Sequence, residues 1–171
     1  MRSTGNFVLC AVLGLTIGMP AYAQLTATSE TPVIYGHHHI NVSNLGEHKR
    51  FWVDTVGGTS MPFGSLEVVK FTNVLVFIRE QEPTGGTKGT TVNHIGFTVP
   101  DLRAVLNKVQ AAGHRVVTRE EVPATMEVTG GIGYNTVQDA YLAFVMAPDD
   151  VKIEIIDAPG QTTQAKLHHI Y

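Results

Sequence analysis

The chain has 171 residues, of which 43% are hydrophobic and 16% are charged, and its formal net charge at pH 7 is −3. This length is enough for one domain, or for two small ones that share a core. No run of basic residues occurs, and the isoelectric point is near 6.2. The composition therefore argues against a nucleic-acid partner.

The N-terminal segment has the pattern of a secretory signal peptide. Arg2 precedes an apolar run at residues 7–19, and Ala21-Tyr22-Ala23 has the form of a cleavage site. A membrane span needs about 20 apolar residues, so this run is short for a retained anchor, which is the alternative. We expect residues 1–23 to be removed, with the cut after Ala23. The mature chain would then be periplasmic or secreted, with no membrane association and without its single cysteine, Cys10.

An internal repeat with a spacing of 57 residues organises the rest of the chain. Residues 37–45 can be laid on residues 94–102, and each copy reads as a short strand, a capping residue and an amphipathic helix. Asn44 and Asp101 are the caps, and glycines end both helices. Strand-like segments follow each helix. They lie at residues 65–71 and 74–79 in the first copy and at residues 115–119, 140–146 and 151–157 in the second.

Each copy therefore predicts a module of the type β-α-β-β(-β). We expect the first module in residues 32–82, a linker in residues 83–90 and the second module in residues 91–158. Residues 159–171 have two interpretations. They form either a C-terminal tail or the first strand of a truncated third module, since His169 can be laid on His94.

The triplet His37-His38-His39 lies on the first strand of the first copy, where His37 aligns with His94. Side chains at i and i+2 of a strand share a face and lie about 6.6 Å apart. His37 and His39 are therefore expected on one face, and His38 on the face that packs against the helix.

Glu154 is the acidic candidate. It lies between Ile153 and Ile155 near the end of the second copy, where the first copy has Phe77. An unpaired carboxylate buried at this position would be costly, which favours ligation of a metal. The alternative is that strand alternation places the Glu154 side chain on the face towards solvent.

On these motifs the sequence resembles the vicinal oxygen chelate superfamily, which includes glyoxalase I, extradiol dioxygenases, fosfomycin resistance proteins and methylmalonyl-CoA epimerase. The resemblance covers nearly all of the chain after the signal segment. It implies an α+β fold in which two paired βαβββ modules form a curved mixed sheet around a central cavity. Modules of this kind pair within one chain or between two chains, so a homodimer is one of the two expected arrangements.

The resemblance also implies a metal site. Carried over by position, its ligands are His37, His94 and Glu154, and the ion is divalent: Fe²⁺, Mn²⁺, Zn²⁺ or Co²⁺. Glyoxalase I often has a fourth ligand where this chain has Phe77, and a phenylalanine cannot bind a metal. The three-ligand set that remains is the pattern of extradiol dioxygenases and fosfomycin resistance proteins.

The expected function is that of an exported, metal-dependent enzyme acting on a small oxygen-chelating substrate. Its reaction is that of a lyase, an isomerase or an extradiol-type dioxygenase. The alternative is a module like the bleomycin resistance proteins, which binds a small molecule without a metal and without catalysis.

Three side chains are candidate catalytic groups beside the metal. His39 shares a face with His37, and imidazole titrates near neutral pH. Tyr134 follows a glycine-rich stretch interpreted as a mobile loop, and Tyr141 lies on the next strand. Each of the three has an alternative role, as a residue that lines the cavity or as an aromatic packing residue. His48 and His114, on or just after the helices, are expected at the surface.

Overall fold

The computed structural model describes residues 35–171, so the signal segment lies outside the described residues. The first module forms a four-stranded sheet in the order β1-β4-β3-β2. Strand β1 is parallel to β4, and the other pairs are antiparallel. The strands are β1 (His37–Val42), β2 (Thr59–Phe63), β3 (Leu66–Lys70) and β4 (Leu75–Glu80).

A helix follows β1, as predicted, although β2 (Thr59–Phe63) lies outside the strand segments expected for the first module. Helix α1 (Leu45–Arg50) begins at the cap Asn44, whose Oδ1 accepts a hydrogen bond from the backbone N–H of Glu47 at 3.0 Å. It continues as a turn of π-helix over Phe51–Thr55. The helix ends before Gly57, whose φ of 94° lies in the region that favours glycine.

The second module forms a six-stranded sheet in the order β10-β5-β9-β8-β7-β6. Strand β5 is parallel to β9, and the other pairs are antiparallel. Its strands are β5 (Ile95–Val99), β6 (Val128–Thr129), β7 (Ile132–Asn135), β8 (Ala140–Met146), β9 (Lys152–Asp157) and β10 (Lys166–Ile170). The helices are α2 (Leu102–Ala111) and the short α3 (Thr118–Glu121). None of the helices within residues 35–171 is long and apolar enough to cross a membrane.

One continuous core joins the two modules. Helix α2 is capped by Asp101 and buries the stripe of Leu102, Val105, Leu106 and Val109 that the sequence predicts. Trp52 of the first module lies with its ring centroid 6.1 Å from that of Phe97 in the second. The α+β class and the repeated βαβββ arrangement are confirmed, with the short β6 as an additional strand of the second module. The linker expected at residues 83–90 falls in the segment between β4 and β5.

Two local predictions in the second module were wrong. Residues 115–119 do not form a strand, because only Val116 makes an isolated bridge and α3 begins at Thr118. The glycine-rich stretch forms the turn between β6 and β7. Gly130 and Gly131 have φ values of 57° and 80°, which suit a two-residue hairpin turn.

His48 is fully buried, contrary to the expectation of a surface position, and His114 is half-buried against Phe51. Trp52 Nε1 donates to His48 Nδ1 at 3.3 Å. His48 Nε2 therefore carries the proton and donates to Asp149 Oδ2 at 3.0 Å. Asp149 lies on the short 3₁₀ turn Pro148–Asp150, so this network ties the first helix to the second module.

Candidate metal centre

Three side chains of the second sheet converge on one point. His94 Nε2 lies 3.3 Å from Glu154 Oε2, and His169 Nε2 lies 3.1 Å from the same oxygen. The two imidazole Nε2 atoms are 2.9 Å apart. Within residues 35–171, this is the one group of three histidine, cysteine or acidic side chains found close enough to hold a metal ion.

The strand register explains how these residues meet. Gly96 on β5 pairs with Glu154 of β9 on one side and with His169 of β10 on the other. A Cβ atom at position 96 would lie only 2.4 Å from Cε1 of the His169 ring. Because glycine leaves this space free, His169 can lie across β5 and reach Glu154.

His94 is held at the start of β5 by the end of β10. The backbone N–H of Tyr171 donates to the carbonyl of His94 at 3.0 Å, and the N–H of His94 donates back at 3.3 Å. His94 thus opposes Tyr171, while His169 opposes Gly96, so the two strands are related by a local two-fold. This relation matches the alignment of His169 with His94.

Burial and hydrogen bonding define the surroundings of these groups. His94 and Glu154 are 8% and 5% exposed. Asn93 Oδ1 lies 3.1 Å from His94 Nδ1, and an oxygen can only accept, so Nδ1 carries the proton. The lone pair of Nε2 then faces Glu154. Burial lowers the pKa of His169, although the Glu154 carboxylate acts in the opposite direction. A neutral imidazole, the form that binds metals, is the result.

The spacing of the three donor atoms fits one divalent ion. At a metal–ligand distance of about 2.1 Å, adjacent ligands lie about 3.0 Å apart in an octahedral site and about 3.4 Å apart in a tetrahedral one. The observed separations run from 2.9 to 3.3 Å. Two histidines and one carboxylate on one face also leave coordination positions open for a substrate.

Aromatic side chains form the walls around this cluster. The His94 ring stacks on Tyr171, with centroids 5.1 Å apart, and meets Phe144 edge-on at 5.3 Å. Lys152 Nζ lies 5.7 Å from the centroid of the Phe144 ring and forms an ion pair with Glu121 at 2.6 Å. Apolar walls of this kind strengthen electrostatic interactions inside the site.

The structure brings together two of the three ligands expected from the resemblance, His94 and Glu154. His37 is not in the cluster. It lies on β1 of the first sheet with His39, and both rings contact Phe77, whose centroid is 5.4 Å from that of His37 and 4.8 Å from that of His39. The expected shared face of His37 and His39 is observed, with centroids 5.3 Å apart.

Tyr134 and Tyr141 lie away from the cluster. They oppose each other on β7 and β8 with ring centroids 5.0 Å apart, and both are exposed. Phe144, which opposes Glu154, shares its face of the sheet. Because Tyr141 is three residues from Phe144, strand alternation places both tyrosines on the opposite face.

His169 is the residue that sequence analysis did not assign to the metal. Its alignment with His94 was a usable signal, because it placed a second histidine at an equivalent point of a similar strand. The sequence did not reveal that β10 would pair with β5, since this contact joins residues 75 positions apart.

Comparison with solved structures agrees with this architecture. The chain is similar to Oxidase ChaP-H2, with 19% identity and a TM-score of 0.57 over 75% of this chain and 96% of that one. A putative glyoxalase from Bacillus halodurans shows 21% identity and a TM-score of 0.56 over 77% and 100%. The fosfomycin resistance protein FosX from Listeria monocytogenes shows 13% identity and a TM-score of 0.51 over 71% and 88%.

No protein-family model and no curated protein matches the chain. The solved structures are therefore informative about the fold, and they include glyoxalase-like and fosfomycin resistance proteins. The resemblance predicted from the sequence is confirmed at this level: the chain has the fold of the vicinal oxygen chelate superfamily.

Proposed function

We propose that this protein is an exported, divalent-metal-dependent enzyme that acts on a small oxygen-chelating substrate at a centre formed by His94, Glu154 and His169. The observation that carries the proposal is the convergence of three donor atoms within 3.3 Å of one another. Without a cation, this arrangement would hold a buried carboxylate against two imidazole nitrogens. A bound cation would satisfy all three.

The open positions of such a centre determine the class of chemistry. A divalent ion bound there would polarise the substrate's oxygen atoms and lower their pKa. Phe144, which meets His94 edge-on and is buried, would shield one side of the bound substrate from water. Lyase, isomerase and extradiol-type dioxygenase reactions share this requirement, and the proposal covers these three classes.

The neighbours in fold support an enzyme without selecting one reaction. They include an oxidase, a putative glyoxalase and a fosfomycin resistance protein. Each of these activities belongs to the protein so named. For the present chain, export follows from the predicted signal peptide and would be tested by fractionating cells that produce the full-length protein.

Metal analysis of purified variants tests the proposed centre. The wild-type protein should bind one equivalent of a divalent ion after dialysis against Mn²⁺, Fe²⁺, Co²⁺ or Zn²⁺. We expect His94→Ala, His169→Ala and Glu154→Gln each to lose that equivalent while keeping the far-ultraviolet circular dichroism of the wild type.

His37→Ala is the matched control, because His37 lies on the first sheet and is expected from the resemblance to be a ligand. If His37→Ala keeps the metal and His169→Ala loses it, the centre is the one proposed here. The reverse result would identify His37, and not His169, as the third ligand. A wild-type protein that binds no divalent ion would contradict the proposal of a metal-dependent enzyme and would favour the metal-free binding module.

A further inference from the structure

A groove of about 770 Å³ lies between the end of the first sheet and the segment that leads into β10. Its volume is within the range of small-molecule sites, about 300–1,000 Å³. None of the proposed metal ligands lines it. Its lining residues are Gly57, Thr59, Met61, Lys70, Phe71, Thr72, Pro100 and Gln161 to Ala165.

The wall formed by residues 161–165 is held in place by hydrogen bonds. Thr98 Oγ1 donates to Gln161 Oε1 at 2.7 Å, and Gln161 Nε2 donates back to the carbonyl of Thr98 at 3.1 Å. Gln161 Nε2 also donates to the carbonyls of Thr163 and Gln164, which braces the segment internally. At its far end, Thr72 Oγ1 donates to the carbonyl of Ala165 at 3.2 Å. The groove therefore has a preformed wall.

The chemistry of the lining is divided into two parts. Apolar surface comes mainly from Met61 and Pro100, since Phe71 and Ala165 are only 3% and 1% exposed, whereas threonine and glutamine side chains supply hydrogen-bonding groups. Lys70 is the single charged residue of the lining, and no carboxylate in residues 35–171 lies within ion-pair distance of it. A ligand with an apolar body and one negative charge would match this lining.

We propose that this groove is a binding site for a small amphiphilic carboxylate, with Lys70 pairing with the carboxylate and Met61 and Pro100 contacting the apolar body. The site is separate from the metal centre. Gln161 is hydrogen-bonded to Thr98. Thr98 lies four residues from His94 along the same extended segment, a separation of about 13 Å. The proposal therefore does not depend on the proposed enzyme.

Binding of 2-naphthoate to the full-length protein tests the site, with 2-naphthalenemethanol as the neutral analogue and isothermal titration calorimetry as the readout. We expect 2-naphthoate to bind at least tenfold more tightly than the alcohol. Lys70→Gln should weaken 2-naphthoate binding at least tenfold and leave the alcohol unchanged. Met61→Trp, which fills the groove, should weaken both. Lys108→Gln, on the exposed face of α2, is the matched control and should bind as the wild type does.

A second set of measurements distinguishes binding in the groove from binding at the metal centre, because carboxylates also bind metal ions. Protein treated with a chelator and the His169→Ala variant should both bind 2-naphthoate with the affinity of the wild type. Loss of binding in those samples would place the probe on the metal, overturning the groove assignment while supporting the centre. Equal affinity for the acid and the alcohol, or no binding at millimolar probe, would also overturn the assignment and leave the metal proposal untouched.

Discussion

The His169 imidazole lies directly over the backbone of Gly96, and its Nε2 reaches to 3.1 Å from Glu154 Oε2 on the far side of β5. A glycine in the middle of a strand weakens the strand, because it adds backbone entropy and packs no side chain. Here the missing side chain is what allows two ligands on non-adjacent strands to meet.

Gly96→Ala should therefore remove the metal without unfolding the protein. The added methyl group would displace the His169 ring, whose nearest atoms would be 2.4 to 2.9 Å from the new Cβ. Loss of ligand positioning typically costs about 10- to 100-fold in metal affinity, and we expect at least this. Competition with a chromophoric chelator measures the affinity.

Gly160→Ala is the control for this substitution, because nothing lies within 4 Å of a Cβ at that position. It should bind metal as the wild type does. If Gly96→Ala also kept the wild-type affinity, β10 would have room to adjust and glycine would not be required at position 96.

His38→Val should make the protein more stable and less sensitive to acid. Both ring nitrogens of His38 are buried and have no hydrogen-bond partner among the described residues. Removing buried groups without partners should add about 1–3 kcal/mol to the free energy of unfolding at pH 7. Chemical denaturation at several pH values measures the effect.

The pH dependence follows from the same burial. Desolvation, then the neighbouring charges of His37 and His39, lower the pKa of His38 to about 4. Since the folded pKa is below the unfolded value of about 6.5, stability is retained above pH 6.5 and falls by about 3 kcal/mol as the pH drops to 4. His48 and His114, whose pKa values are also lowered by burial, act in the same direction.

His39→Val is the matched control, because His39 is the exposed neighbour on the other face of β1. It should keep most of the acid sensitivity, because desolvation is the largest cause of the lowered His38 pKa and the charge of His39 is a smaller one. An equally steep loss of stability in His38→Val and in the wild type would assign the effect to the other histidines.

Glu121→Gln should destabilise the protein strongly, because Lys152 is only 3% exposed and Glu121 is its partner at 2.6 Å. Lys152 also pulls the pKa of Glu121 below its usual value through this hydrogen bond. Breaking a buried pair by removing one charge costs about 3–5 kcal/mol. Glu120→Gln is the comparison, since Glu120 faces the exposed Arg115 at 3.7 Å and should change stability by less than about 0.5 kcal/mol. Similar unfolding midpoints for the two variants would mean that Lys152 finds another partner.

The parts of this fold that could be predicted from sequence are those with local signals. Asn44 and Asp101 cap their helices as expected, because a cap and its N–H partner are three residues apart. The histidine positions on β1 follow from strand alternation alone. His169 and His48 could not be placed in this way, since each acquires its role from a residue more than 14 positions away in another element.

The network around Asp149 joins the two modules, and its removal should weaken the junction. Asp149 Oδ2 accepts from His48 and from the backbone N–H of Ser43, and Oδ1 accepts from the Ser43 hydroxyl at 2.6 Å. Asparagine keeps the shape of the side chain and tolerates the φ of 56° at this position. Its oxygen can still accept from His48 and from the Ser43 N–H, but its NH₂ group must donate to Ser43 Oγ, and the negative charge that strengthens all three hydrogen bonds is lost. Asp149→Asn should therefore lower the free energy of unfolding by about 1–3 kcal/mol.

Trp52 reports this unfolding directly, because it is the only tryptophan of the chain and it donates a hydrogen bond to His48. Urea denaturation followed by its fluorescence should show a lower midpoint for Asp149→Asn with an unchanged slope. Asp150→Asn is the matched control, since Asp150 is exposed and has a similar φ of 54°. Equal midpoints for the two variants would show that the charge of Asp149 contributes nothing to the junction. A lower midpoint for Asp149→Asn alone would assign the stabilisation to the bonds from His48 and Ser43.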